Sequence, residues 1–190
     1  KKIYGYWKIF HFYKKILKKK NFKVDEINWH FHPKSLRSHP TSNATSYNNS
    51  INELTYIISK RIIEDDWFPV VNRPGFHSIR PDSHLFLEQW IPYDYSNQFY
   101  EEKNDQKDLD YGRFGDWSRS PKTWAGYKPS IHDYQLKGNC RRKIFRCLNV
   151  GTRHKLLKKI HIDQAFKDAN KFNKAILCIV NHDYREMSND

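Results

Sequence analysis

The sequence predicts an α/β fold whose strands run mostly parallel. Segments with helical spacing of apolar residues alternate with short apolar segments of strand length through most of the chain, which is typical of parallel strands joined by helices. The chain has 190 residues, of which 38% are hydrophobic and 16% aromatic, enough for one packed core. We therefore expect one domain over residues 1–190.

Four segments have the apolar spacing or the end signals of helices. The first covers about residues 3–20 and ends in three lysines, where cations suit the helix dipole. The second begins at a capping box that pairs Ser50 with Glu53. The third covers about residues 81–90, with proline at its start. For the fourth, Asp163 is the expected N-cap.

Five segments are strand candidates, at about residues 27–33, 67–73, 93–96, 142–150 and 175–180. In the first segment apolar and polar residues alternate, which places His30 and His32 on one face of the strand. The last segment is an unbroken apolar run, the pattern of a strand that is buried on both faces.

Residues 97–140 lack periodicity and are rich first in charges and then in aromatic residues. A loop of this length inside a compact domain is usually functional or disordered, and the aromatic residues favour a functional loop. Trp117, Trp124 and Tyr127 have flat apolar faces that suit sugar rings, although such residues also form local hydrophobic clusters. We therefore treat 97–140 as an aromatic-rich insertion with candidate substrate-binding residues.

Composition limits the possible environments. The mean hydropathy is −0.92 and no run of about eighteen apolar residues occurs, so we expect no membrane span. No signal peptide opens the sequence, and its three cysteines form no C-x-x-C pair, which slightly favours a reducing, cytoplasmic location. The net charge of +13 comes mostly from lysine, and an A+T-rich coding sequence would also give this bias. Nucleic acid is therefore not the expected partner.

Residues with reactive side chains follow three of the strand candidates. His30 and His32 end the first, Arg73 ends the second, and His182 with Asp183 follows the last. Because the carboxyl ends of parallel strands share one edge, these groups are expected to converge.

Each of these residues also has an ordinary structural interpretation. His30 and His32 can present two imidazoles to one metal ion, or they can be polar residues on a solvated face. Arg73 can orient a carboxylate, or it can be a surface arginine in a turn. A strand-end imidazole such as His182 can transfer protons, or it can bond a backbone carbonyl.

The motifs together resemble the polysaccharide deacetylase family, the NodB-homology domains of carbohydrate esterases. Residues 25–33 (DEINWHFHP) look like its metal-binding segment and residues 72–76 (NRPGF) like its arginine motif. Residues 93–96 (YDYS) are similar to the short strand that follows, and residues 176–182 (ILCIVNH) to the last strand with its histidine. The order of motifs agrees over about residues 3–96 and 160–183.

The resemblance implies a distorted or incomplete (β/α) barrel and hydrolysis of acetyl groups on a sugar or surface polysaccharide. It implies a divalent metal, usually zinc, held by His30 and His32. It further implies that His182 is the general acid, that Arg73 orients the catalytic aspartate, and that Asp183 holds the tautomer of His182.

The sequence departs from the family pattern at two points. The family's metal histidines are four residues apart instead of two, which makes His39 an outside candidate. The family's aspartates come on a strand before the first helix, and this sequence has no counterpart. We therefore expect either an N-terminally truncated domain or one that has lost its base.

Two other functions remain open. One is a non-catalytic relative that binds glycan. The other is a nucleic-acid-binding module with a basic patch. Its candidate residues are Arg141, Arg142, Arg146, Arg153, Lys155, Lys158 and Lys159.

Overall fold

The computed structural model describes residues 6–21, 25–30, 50–98, 117–149, 158–173 and 175–180. Within these ranges the chain forms four α-helices and four strands. The helices are α1 (Tyr6–Lys20), α2 (Ser50–Asp65), α3 (Pro81–Trp90) and α4 (Lys159–Phe172). The strands are β1 (Val71–Asn72), β2 (Tyr93–Asn97), β3 (Lys143–Asn149) and β4 (Cys178–Val180). A 3₁₀ turn at Gly75–His77 lies between β1 and α3.

The strands form one sheet in which the spatial order is the chain order, β1-β2-β3-β4, and every pair is parallel. Trp29 extends the sheet beyond β1 through a parallel bridge to Asn72. Helix α3 connects β1 to β2, and α4 lies between β3 and β4. The sheet curls into a half-barrel, so the predicted α/β class with parallel strands is confirmed. The deacetylase type of barrel stays a prediction.

Most predicted elements occur, and β1 and β4 are shorter than the apolar patterns suggested. Helix α3 has the predicted bounds, and α2 begins at Ser50 and ends at Asp65. Among residues 25–30 the first strand candidate is reduced to the bridge at Trp29. β4 begins only at Cys178, because Ile176 before it donates its backbone N–H to Trp124.

The predicted N-cap of α4 is wrong. The helix begins at Lys159, with Lys158 as N-cap, and Asp163 lies inside its second turn. The Nδ1 atom of His161, at the third helical position, accepts the backbone N–H of Lys158 at 3.0 Å, which is the reciprocal hydrogen bond of a capping box. Asp163 instead forms an i,i+4 ion pair with Lys159 at 2.9 Å.

Helices α2 and α3 pack on one side of the sheet. Asn72, Asp94 and Ile144 occupy paired positions on β1, β2 and β3, so their side chains leave the same face. Ile144 belongs to a core cluster that includes Leu54 of α2 and Phe86 of α3, which identifies this face as the helix side. Alternation places residues such as Arg73 and Cys147 on the opposite side, called here the open side.

The segment 117–142 is packed into the fold. Tyr127 forms two antiparallel hydrogen bonds with Ile144, of 3.0 and 2.9 Å. Trp117, Tyr127 and Tyr134 belong to the same core cluster as Ile144. In a second cluster, Trp124 packs with Leu148 of β3 and Ala165 of α4. None of the helices in the described ranges has the length and hydrophobicity that a membrane crossing requires.

Candidate functional site

His30 and Arg73 meet at the carboxyl end of the sheet. Trp29 pairs with Asn72, so the residues that follow them in the chain are neighbours. The Nδ1 atom of His30 lies 2.7 Å from the carbonyl oxygen of Arg73, although the two residues are 43 positions apart. The sequence predicted this convergence for both residues, and the structure places them together.

His77 holds the side chain of Arg73. Its Nε2 atom lies 2.9 Å from Nη2 of Arg73, and its Nδ1 atom lies 3.3 Å from the carbonyl oxygen of Ser96 at the end of β2. A carbonyl only accepts and a guanidinium only donates, so Nδ1 carries the proton and Nε2 accepts from Arg73. His77 is 1% exposed, and therefore acts on Arg73 from inside the fold.

The turn that carries His77 is supported by the 117–142 segment. His77 has a φ of 51°, a left-handed conformation that is uncommon for residues other than glycine. The indole Nε1 of Trp117 donates to the carbonyl oxygen of His77 at 2.9 Å. His77 was not among the residues predicted for the site; its one signal in the sequence is its position directly after the R-P-G-F turn of the arginine motif.

Two cysteines lie beside Arg73 on the open side. Cys147 of β3 and Cys178 of β4 are register partners, and their Sγ atoms are 3.3 Å apart. The hydrogen bond with Cys147 lowers the pKa of Cys178, and the positive charge of Arg73 acts in the same direction. The hydrogen bond with Cys178, together with burial, raises the pKa of Cys147. The more exposed thiol of the pair is therefore the more acidic one.

His30 has the hydrogen-bonding pattern of a metal-binding histidine. Its Nδ1–H donates to the Arg73 carbonyl, so the lone pair is on Nε2. Metal-binding histidines commonly make such a second bond to a backbone carbonyl, so the residue fits a divalent metal. In the described part of the chain no group of three or more His, Cys, Asp or Glu is arranged to hold a metal ion. The other predicted ligand, His32, lies outside the described residues.

The remaining predicted catalytic residues also lie outside the described ranges. β4 ends at Val180, and His182 and Asp183 follow it in the sequence. The outside candidate His39 is likewise not among the described residues.

The three predicted sugar-binding aromatics are core residues in this structure. Trp117 is 4% exposed, Trp124 is fully buried and Tyr127 is 5% exposed. The Tyr127 hydroxyl donates to the Tyr134 carbonyl at 2.6 Å, and Arg146 lies 4.8 Å from the Trp124 ring. Core packing explains why this segment is rich in aromatic residues without a sugar, and sugar binding stays a prediction.

The basic residues considered for nucleic-acid binding are not all on the surface. Arg142 is fully buried and paired with Asp94, and Arg146 is 1% exposed. Arg141, Lys158 and Lys159 are exposed, and the candidates numbered 153 and 155 lie outside the described residues. Two of the seven side chains are therefore unable to reach a phosphate in this structure.

Comparisons with protein-family models, with curated proteins and with solved structures found no match.

Proposed function

We propose that the chain is a metal-dependent hydrolase resembling polysaccharide deacetylases, which removes N- or O-acetyl groups from a sugar or surface polysaccharide. The observation that supports this best is the contact between His30 and Arg73 at the carboxyl end of adjacent parallel segments. In parallel α/β folds this edge is where catalytic groups from different strands converge.

The proposed metal is divalent, with zinc as the expected ion, and His30 and His32 are its proposed ligands. A bound zinc ion polarises a carbonyl oxygen and lowers the pKa of a water molecule. The hydrogen bond from His30 Nδ1 to the Arg73 carbonyl supports this role, since it leaves Nε2 unprotonated, as metal binding through Nε2 requires.

The other residues of the proposed site position groups or move protons. The Arg73 guanidinium orients a carboxylate, and the contact with His77 limits the directions in which it points. His182 protonates the leaving amine or alcohol, and Asp183 accepts the second imidazole N–H of His182. The roles of His182 and Asp183 are proposed from the sequence resemblance alone.

The first test is acetate release from N-acetylated chito-oligosaccharides and from p-nitrophenyl acetate, before and after treatment with a chelator. We expect the chelator to abolish release and added zinc to restore it. His30→Ala should lower zinc affinity and acetate release by at least about 100-fold, since loss of an outer partner of a metal histidine alone costs about 10- to 100-fold. The exposed His132 is the matched control, and His132→Ala should behave like the parent protein.

The second test separates metal binding from proton transfer. His182→Ala should keep its zinc but lose about 100- to 10,000-fold in acetate release, the usual contribution of a general acid. Full activity of His182→Ala would remove this residue from the mechanism. Zinc binding without any acetate release by the parent protein would contradict the hydrolase function itself.

A further inference from the structure

The two cysteines on β3 and β4 are placed for covalent bonding. Cys147 and Cys178 are 31 residues apart in the chain but occupy the same register position on adjacent parallel strands. Neighbouring strands are about 4.8 Å apart, within the Cα separation that a disulfide spans. The Sγ–Sγ distance of 3.3 Å shows that both side chains already point toward each other.

We propose that Cys147 and Cys178 form a reversible oxidation site, which small disulfides such as oxidised glutathione convert into an intramolecular disulfide between β3 and β4. Oxidation of these two cysteines does not depend on the proposed hydrolase activity. All three cysteines of the protein carry free thiols in the structure, which is the reduced state of the proposed site.

Exposure determines which thiol reacts first. Cys147 is fully buried, whereas Cys178 is partly exposed and lies on β4, the edge strand of the described sheet. The nearby Arg73 guanidinium favours the thiolate form of Cys178, and the thiolate is the nucleophile in thiol–disulfide exchange. Cys178 is therefore the attacking residue and Cys147 the resolving one.

The disulfide between Cys147 and Cys178 forms in two thiol–disulfide exchange steps. The Cys178 thiolate attacks one sulfur of oxidised glutathione, the S–S bond of the reagent breaks, and one glutathione leaves and takes up a proton. The Cys147 thiol then loses its proton and attacks Cys178 in the mixed disulfide, which releases the second glutathione. The two cysteines lose two electrons in total, and these reduce one glutathione disulfide to two glutathione thiols.

Cys140 is an internal control. It is buried before the start of β3, beside Glu88, and burial raises the pKa of its thiol. The proposed site thus predicts that two of the three cysteines react and that Cys140 does not.

The experiment incubates the reduced, folded protein with glutathione buffers of increasing oxidised fraction. Free thiols are then alkylated, and peptides are mapped by mass spectrometry. We expect loss of two thiols, a peptide that links Cys147 to Cys178, and full return of three thiols with dithiothreitol. The linked species should be monomeric at every protein concentration, and its thermal unfolding midpoint should rise above that of the reduced protein, because the bridge constrains the unfolded chain.

Two cysteine variants and a denatured sample complete the test. Cys140→Ser should form the same link, whereas Cys178→Ser should form none. In denaturant the parent protein should give mixed pairings, which shows that the folded register selects the pair. Three unmodified thiols in the most oxidising buffer, glutathione on Cys178 with no link to Cys147, or a link to Cys140 in the folded protein would each overturn the proposal.

Discussion

At the residue scale, the most deeply buried charges of the described structure belong to Asp94 and Arg142. Both side chains have no exposed surface, and their ion-pair distance is 2.9 Å. Ser96 and Asn72 donate further hydrogen bonds to the Asp94 carboxylate, and Arg142 also contacts His84. Burial raises the pKa of Asp94, while Arg142 and these hydrogen bonds oppose that effect. Each charge is tolerated in the core because the other is present.

Removal of one partner should therefore be costly. Asp94→Ala leaves the buried Arg142 without its counter-charge, and we expect a loss of about 3–5 kcal/mol in the free energy of unfolding. Denaturant titration measures this change. Asp163→Ala is the matched control, because its partner Lys159 is 87% exposed, and such a pair contributes less than about 1 kcal/mol. Equal losses in the two variants would contradict the importance of the buried pair.

At the element scale, α2 connects sequence pattern to packing most directly. Its inward residues Leu54 and Ile58 are 2% and 4% exposed and belong to the main core cluster. Ile63 on the same helix is 81% exposed. The helix therefore packs on the core through one stripe of side chains, as its 3.6-residue periodicity indicates.

The same isoleucine-to-alanine substitution can be made at a buried and at an exposed position of this helix. Ile58→Ala should lower the free energy of unfolding by about 2–5 kcal/mol, because it removes buried methyl groups and leaves a cavity. Ile63→Ala should change it by no more than about 0.5 kcal/mol, since the side chain is largely in solvent. Thermal or denaturant unfolding of the two variants checks the difference. A loss at Ile63 as large as that at Ile58 would mean that the exposed side of α2 is also packed.

At the scale of the whole molecule, one buried histidine joins α3 to the residue before β3 and to the 117–142 segment. His84 of α3 is 1% exposed, contacts Arg142, and lies 2.8 Å from the carbonyl oxygen of Ser130 in the 117–142 segment. Burial and the neighbouring Arg142 charge lower the pKa of His84 from 6.5 to about 4. The folded molecule therefore keeps this imidazole neutral.

The stability of the molecule should consequently depend on pH. Between about pH 6.5 and pH 4 the unfolded chain binds a proton at His84 that the folded chain does not. This contribution to stability is complete above pH 6.5 and is lost as the pH falls toward 4. Denaturant titrations across this window should give a shallower pH slope for His84→Gln than for the parent protein. The exposed His132→Gln should keep the parent slope, and parallel curves for the parent and His84→Gln would contradict the assignment.

Local pattern was sufficient for the starts of α2 and α3 and for the positions of the strands along the chain, but not for the N-cap of α4. The capping box at Ser50 and the proline at residue 81 marked the starts of α2 and α3, because a helix start depends on a few adjacent residues. Strand lengths were predicted less well, since a strand extends only as far as its neighbour offers backbone partners. β1 has only two residues, although the apolar pattern covers about residues 67–73, because the chain turns at Pro74 and because Pro92, before β2, has no backbone N–H to donate.

The sequence by itself determined the α/β class, the parallel direction of the strands and the meeting of His30 with Arg73, because these follow from short-range periodicity and from the shared edge of parallel strands. Only the tertiary structure decided that His77 holds Arg73, that Arg142 and Arg146 are buried, and that Cys147 faces Cys178. The contact between Cys147 and Cys178 depends on strand register, and Arg146 is covered by Trp124 of the 117–142 segment. The strand register and the path of the 117–142 segment depend on how the whole core packs, and no local spacing of residues in the sequence determines them.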